Sequence, residues 1–301
     1  MVFKHQLVRD LAYIMQAPLI YQDVDIHAFW QADLEQALLR LDQDPKSLEQ
    51  AVASCKSHFL GSYFEVLFSY AINYFSRFEV VFEHQQLITP QRTLGEVDAL
   101  VRSDTGQIFQ FEVAIKFYLE SDKETGHWIG PNKNDSFIKK YTRAKTHQLL
   151  ILAKEEAQPL LRQYQIKAAI QSHLLMFGML FKHVAKPDDL KQGPVEFEKQ
   201  EKINLEKINQ LALRGYWLKE DNLAWLQSGF LYAQELDKPH WLSDPIEQEV
   251  NSNTYGCFDV WQDNIRSQFS VDERPRQFLI CCQKAEADKR YLRLFVVPSR
   301  W

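Results

Sequence analysis

The stretch "LGEVDALVRSDTGQIFQFEVAIKFYL", Leu94–Leu119, decides the fold. Side chains on a strand alternate between faces, and both halves of this stretch keep that period. Val97, Ala99 and Val101 alternate with Glu96, Asp98 and Leu100. After "SDTGQ", Phe109, Phe111, Val113, Ile115 and Phe117 alternate with Glu112, Ala114 and Lys116. Gly106 supplies the left-handed residue of a hairpin turn. A hairpin centred near residues 105–106 places Asp98 opposite residues 112–113, where cross-strand neighbours stand ~5 Å apart. Glu and Lys four residues apart would also suit a solvated sheet edge, but the apolar flanks read as a central strand. Charges there are costly unless they are used. Two carboxylates at that separation repel, and one stays protonated unless a cation lies between them. Acidic oxygens completed by water suit Mg²⁺ or Mn²⁺. Such an ion can polarise a phosphodiester and acidify an attacking water.

Working outward, residues 57–78 predict a strongly apolar helix with Phe64, Leu67, Phe68, Ala71, Ile72 and Phe75 on its buried face and Glu65 in its first half. A strand over 79–87 follows. Residues 3–17 and 27–56 show helical spacing. Past the hairpin, a polar loop leads to one long helix over "NDSFIKKYTRAKTHQLLILAKEEAQPLL", capped by Asn134 or Asp135. A strand is expected over 169–184, then a loop and helix within 186–210. Trp217, Trp225 and Trp241 read as core or a partner groove, and "RPRQFLICCQ" with "RYLRLFVVPSRW" as two antiparallel strands. The sum is an α+β fold with a mixed central sheet flanked by helices. Expected boundaries are a helical N-terminal region over 1–57, a core over 58–184, and an extension over 185–301 packed on that core.

The 301 residues carry a formal charge of −5 and are 46% hydrophobic, an ordinary globular composition. Nucleic-acid affinity would therefore need a local basic patch. The four cysteines, Cys55, Cys257, Cys281 and Cys282, form no CxxC pair, which argues against zinc and disulfides and for a reducing cytoplasm. Arg9 and Asp10 interrupt the N-terminal apolar run and spoil it as a signal peptide. No apolar run nears the ~20 residues of a membrane helix, so no membrane partner is expected. Dinucleotide, ATP, serine-hydrolase and HExxH motifs are missing.

The order helix-Glu, strand, "GEVDAL", "FEVAIKFYL", helix resembles the PD-(D/E)XK, or restriction-endonuclease-like, nuclease superfamily over about 57–184. With "LGSYFE", "GHWIGPNKNDSF", "HQL" and "FVVPSRW", nearly the whole chain resembles a bacterial family catalogued as domain of unknown function 1853. The superfamily resemblance implies Asp98 and Glu112 as metal-binding acids, Glu65 as the helical acid beside them, and Lys116 as the lysine that orients water or stabilises charge. The pattern's usual lysine stands two residues after the acid, where this chain has Ala114. Lys116 lies ~13 Å along the strand at ~3.3 Å per residue, so its stem must reach back. Otherwise Lys139, Lys140 or Lys145 takes over, or catalysis has been lost. Gln148 is a further residue that the resemblance aims at the site.

Lys133, Lys139, Lys140, Arg143 and Lys145 form the most basic window and are the expected phosphate contacts, with a solvated helix face as the plainer alternative. Lys139, Arg143 and His147 share one helical face. His127 and Trp128 would stack on a base or form a lid, or Trp128 anchors the loop by packing. The expectation is a Mg²⁺- or Mn²⁺-dependent nuclease acting on DNA, with RNA as a second candidate. Its rival is an inactive nuclease-like module that grips nucleic acid or a protein partner.

Overall fold

A computed structural model describes residues 3–55, 57, 59–90, 92–123, 126–190, 208–246, 254–285 and 288–301. In chain order the elements are α1 (Gln6–Gln16), β1 (Tyr21–Gln22), α2 (Leu34–Gln43), α3 (Lys46–Ala53), α4 (Leu60–Tyr74), β2 (Glu79–Ile88), β3 (Thr93–Arg102) and β4 (Ile108–Glu120). There follow β5 (Trp128–Ile129), α5 (Phe137–Thr146), α6 (Gln158–Gln163), β6 (Ile170–His183), β7 (Leu213–Lys219), β8 (Phe230–Glu235), β9 (Thr254–Tyr255), α7 (Phe258–Val271), β10 (Arg276–Ala285) and β11 (Asp288–Val297). The fold is α+β, with helices flanking a mixed sheet, as the sequence predicts. The helix expected within 186–210 falls largely outside the described residues.

The chain divides into two units, Met1–Ile115 with Ile138–Phe177, and Lys116–Phe137 with Gly178–Trp301. The first unit is built around α4. Its predicted apolar face is buried, with Phe64 and Phe68 each 2% exposed and Leu67, Ala71 and Ile72 fully covered. Phe64 and Phe68 close on Phe177 of β6 at ring separations of 5.1 and 5.7 Å. Burying each large apolar side chain contributes roughly 1.5–3 kcal/mol. The helix stops where Phe75 leaves helical space at φ −124°. Ser76 then donates its hydroxyl to the Ile72 carbonyl and accepts the Phe78 N–H. On the opposite end, the Tyr63 hydroxyl donates to the buried Asp10 carboxylate of α1 at 2.8 Å.

In this unit β2 and β3 form a long antiparallel hairpin. β4 follows β3 through the expected turn, with Gly106 at φ +81° and its N–H donated to the Ser103 carbonyl. The β4 residues of this unit, 108–115, are all buried from Ile108 to Glu112, as a central strand requires. The single helix expected over 134–161 is instead α5, a 3-10 segment over Gln148–Ala153, a short turn, and α6. The break falls at His147, whose backbone turns to φ −135°, ψ −60°. The turn lets Ile151 and Leu152 pack with Leu94, Val97 and Leu100 in a core that a straight helix would miss. Gly95 makes this approach feasible, because a Cβ there would lie 2.8 Å from Ile151 Cδ1. Pro159 in the first turn of α6 starts the new helix without losing a backbone donor.

In the second unit β7 runs parallel to both β6 and β11, while β10 is antiparallel to β11 and β8. The predicted C-terminal strand pair is therefore present. One face carries Leu218, Phe278, Ile280, Leu294 and Val296 against Trp261 and Ile265 of α7. Trp217 is fully buried and Trp241 is 7% exposed, so both belong to the core rather than to an open groove. Gly178 sits at φ +116°, and a Cβ there would stand 1.8 Å from the Lys116 carbonyl oxygen. Only glycine fits so close a backbone approach. The expected helix caps Asn134 and Asp135 stand outside α5. Asp135 instead accepts the Ser136 N–H and the Lys116 ammonium.

Candidate active site

The β3–β4 ladder pairs Arg102 with Ile108, Val101 with Phe109, Leu100 with Gln110 and Ala99 with Phe111. One step further in this register, Asp98 would face Glu112. The described ladder ends there, and Asp98 Oδ2 accepts the Val113 N–H at 2.8 Å. A side-chain oxygen thus replaces the backbone acceptor that the diverging strand no longer offers. Glu112, 2% exposed, is next to that N–H along the chain. Burial and then the Glu112 carboxylate push the Asp98 titration up to about 8, against the opposing pull of the Val113 N–H and Lys140. Near neutral pH without a cation, Asp98 therefore keeps its proton.

The ammonium beside these acids comes from α5. Ala144 is fully buried on that helix, while Lys139 and Arg143 are exposed. Lys140 Nζ lies 2.7 Å from Glu112 Oε1, in an ion pair whose side chains are 15% and 3% exposed. It also donates to Gln148 Oε1 at 3.3 Å. Gln110 shares its β4 face with Glu112 and holds the covering segment in place. Its Nε2 donates to the Gln148 carbonyl at 3.0 Å, and its Oε1 accepts the Ser172 hydroxyl at 3.0 Å. Charge on this cluster balances as one carboxylate, one ammonium and one neutral acid.

The other residues singled out in the sequence are placed as follows. Glu65 is exposed on α4 and takes no part in the polar contacts of Asp98, Glu112 or Lys140. Lys116 pairs with Asp135 at 2.7 Å inside the second unit, so its ammonium is turned to a different acid. Lys145 binds Asp23 at 2.5 Å. Lys133 belongs to the second unit and lies over the Trp301 ring at 4.3 Å. Lys139 and Arg143 of the basic window are exposed on α5. Trp128, 1% exposed, is buried in the strand pair β4–β5, the packing alternative rather than a lid. His127 precedes it in the same unit, and its carbonyl accepts the Ser121 N–H. Gln110 was missed from the sequence, although its place two residues before Glu112 on one strand face carries the signal.

Among the described residues no group of three or more His, Cys, Asp or Glu is gathered to hold a metal. Asp98 and Glu112 nevertheless suit one class of ion. Mg²⁺ keeps several waters and is bound by one or two carboxylates together with substrate phosphates, not by a dedicated protein cage. An acid held neutral by burial and by a neighbouring carboxylate is one that a divalent cation would relieve.

A family model described as Domain of unknown function (DUF1853) matches residues 9–297. The chain belongs to that family. The match spans every strand described above, from β1 to β11, so the β3–β4 fork lies inside the DUF1853 region. No curated protein and no solved structure gives a significant match. Among the described residues of this DUF1853 chain, no helix is long and apolar enough to cross a membrane.

Proposed function

We propose that the chain is a metal-dependent nuclease that hydrolyses phosphodiester bonds in DNA. Asp98 and Glu112 would hold Mg²⁺ or Mn²⁺, and Lys140 takes the part that the resemblance implies for Lys116. The observation carrying this reading is the convergence of Asp98, Glu112 and Lys140 at the open end of the β3–β4 ladder. A bound divalent ion supplies Lewis acidity at the phosphoryl oxygen and a lower pKa for a bound water. The chain's own groups do the rest. As a ligand Asp98 would be a carboxylate, its proton released to solvent. Lys140 donates hydrogen bonds to a non-bridging phosphate oxygen, or holds the attacking water, where negative charge develops. Gln148 fixes the Lys140 stem from one side, and Gln110 fixes Gln148. Exposed Lys139 and Arg143 on α5 contact the phosphate backbone, which makes binding salt-sensitive. The exposed Glu65 has no assigned role.

Purified protein is tested on linear, circular, single-stranded and double-stranded DNA and on RNA, with Mg²⁺, with Mn²⁺ and with EDTA. Cleavage that needs metal and disappears in Asp98→Asn supports the nuclease. The rival reading, a nuclease-like module that binds without cutting, draws on Ala114 and on the ion pair that already satisfies Glu112. Its signature is metal-independent retention of nucleic acid, with no cleavage in any lane, that is lost when Lys139 and Arg143 are both changed to Glu.

A further inference from the structure

If the nuclease reading holds, the Lys140–Glu112 contact has a consequence beyond catalysis. From that contact we infer that Lys140 acts as a tethered counter-ion that shuts the metal site until a substrate phosphate draws it away. Metal and phosphate then bind cooperatively. This rests on the nuclease reading and adds a regulatory property to the same residues.

Three observations carry it. Lys140 Nζ is 2.7 Å from Glu112 Oε1, so the ammonium lies against an oxygen a metal would need. The pair is well shielded from water, with side chains 15% and 3% exposed, so the contact is not a screened surface bridge. Among the described residues no third acid, cysteine or histidine joins Asp98 and Glu112 as a metal ligand. A divalent ion arriving alone must displace a full positive charge with only two protein carboxylates to hold it. A phosphate arriving with it changes both terms. Its oxygens accept hydrogen bonds from Lys140, which frees Glu112, and they also complete the ion's shell. By linkage, each ligand tightens the other by the same factor. Lys140 starts within reach of two acceptors, Glu112 and the neutral Gln148 Oε1, so a shift of its head group needs no movement of α5.

The test uses the full chain and reads metal binding rather than cleavage. Free Mn²⁺ is followed by electron paramagnetic resonance at pH 7, with Mn²⁺ alone and then with inorganic phosphate, the phosphate–Mn²⁺ equilibrium being measured separately. Wild type should bind Mn²⁺ at least about fivefold more tightly with phosphate present. Lys140→Met should bind Mn²⁺ alone at least about tenfold more tightly than wild type and show a smaller phosphate effect. Lys167→Met, at an exposed lysine outside the site, should stay within about twofold of wild type, which separates a local contact from general charge. Removing Lys140 leaves Glu112 buried without its partner, so Lys140→Gln is prepared as well, and the wild-type phosphate series requires no variant. Equal Mn²⁺ affinity in wild type and Lys140→Met, or no phosphate effect in wild type, overturns the counter-ion while leaving the nuclease reading intact. Absence of Mn²⁺ binding in all proteins, with and without phosphate, overturns both.

Discussion

Replacing Asp98 by Asn should stabilise the metal-free protein, and should do so only above about pH 4. In the folded chain burial first, and Glu112 second, push the Asp98 carboxyl up from its ordinary 3.8 to about 8. Between those values the folded state binds more protons than the unfolded state, so stability falls as pH rises through the window and levels off above 8. Each pH unit within it is worth at most ~1.4 kcal/mol. At pH 7, about three units above the lower limit, the accumulated cost is bounded at ~4 kcal/mol. Asparagine has no proton to lose, and its amide oxygen still accepts the Val113 N–H that Asp98 Oδ2 accepts at 2.8 Å. The Asp98→Asn advantage should therefore be near zero at pH 4, a few kcal/mol at pH 7 and constant beyond pH 8.5. Urea unfolding with EDTA at four pH values measures it. Millimolar Mn²⁺ should reverse the order, because wild type gains a ligand that the variant has lost. An advantage independent of pH would mean that Asp98 does not share a desolvated site with Glu112, and the metal argument would fall with it.

Three further outcomes follow from contacts elsewhere. Gly178→Ala would set a Cβ 1.8 Å from the Lys116 carbonyl oxygen in a left-handed backbone, and should lower stability by more than about 3 kcal/mol in urea melts. An unchanged midpoint would refute that close approach. Lys116→Met should keep DNA cleavage within about threefold of wild type, since Lys116 is a partly exposed partner of Asp135, whereas Lys140→Met should lower it by at least about a hundredfold. The opposite order would return the catalytic role to Lys116. Tyr63→Phe removes a 2.8 Å hydrogen bond to the buried Asp10 and should cost about 1–2 kcal/mol of unfolding free energy, with Mn²⁺ affinity unaltered.

The elements that the sequence reveals are those whose partners lie close along the chain or whose apolar pattern is dense. The β3–β4 hairpin is legible because two alternating runs flank a turn with one glycine in the left-handed region, and Asp98 falls against 112–113 by simple counting. Helix α4 is legible because its apolar residues recur too regularly for a strand. The break at His147 is not, because Leu149, Ile151 and Leu152 satisfy helical spacing as well as they satisfy a 3-10 turn packed on Leu94 and Val97. Trp128 reads as part of a loop since a two-residue strand leaves no periodicity, yet its pairing through Glu120 buries it. The lysine is the instructive case. The pleat fixes which residues share a strand face, and it puts Lys116 on the face of Glu112. It does not fix which ammonium reaches Glu112, because that depends on where α5 docks. The proposed chemistry asks for a donor near the developing charge and is indifferent to the element that carries it. A search that requires an acid and a lysine two residues apart would pass over this chain at Ala114. A search for an acid buried in an apolar strand, facing a second acid across a short hairpin and followed by a basic helix, would stop at it.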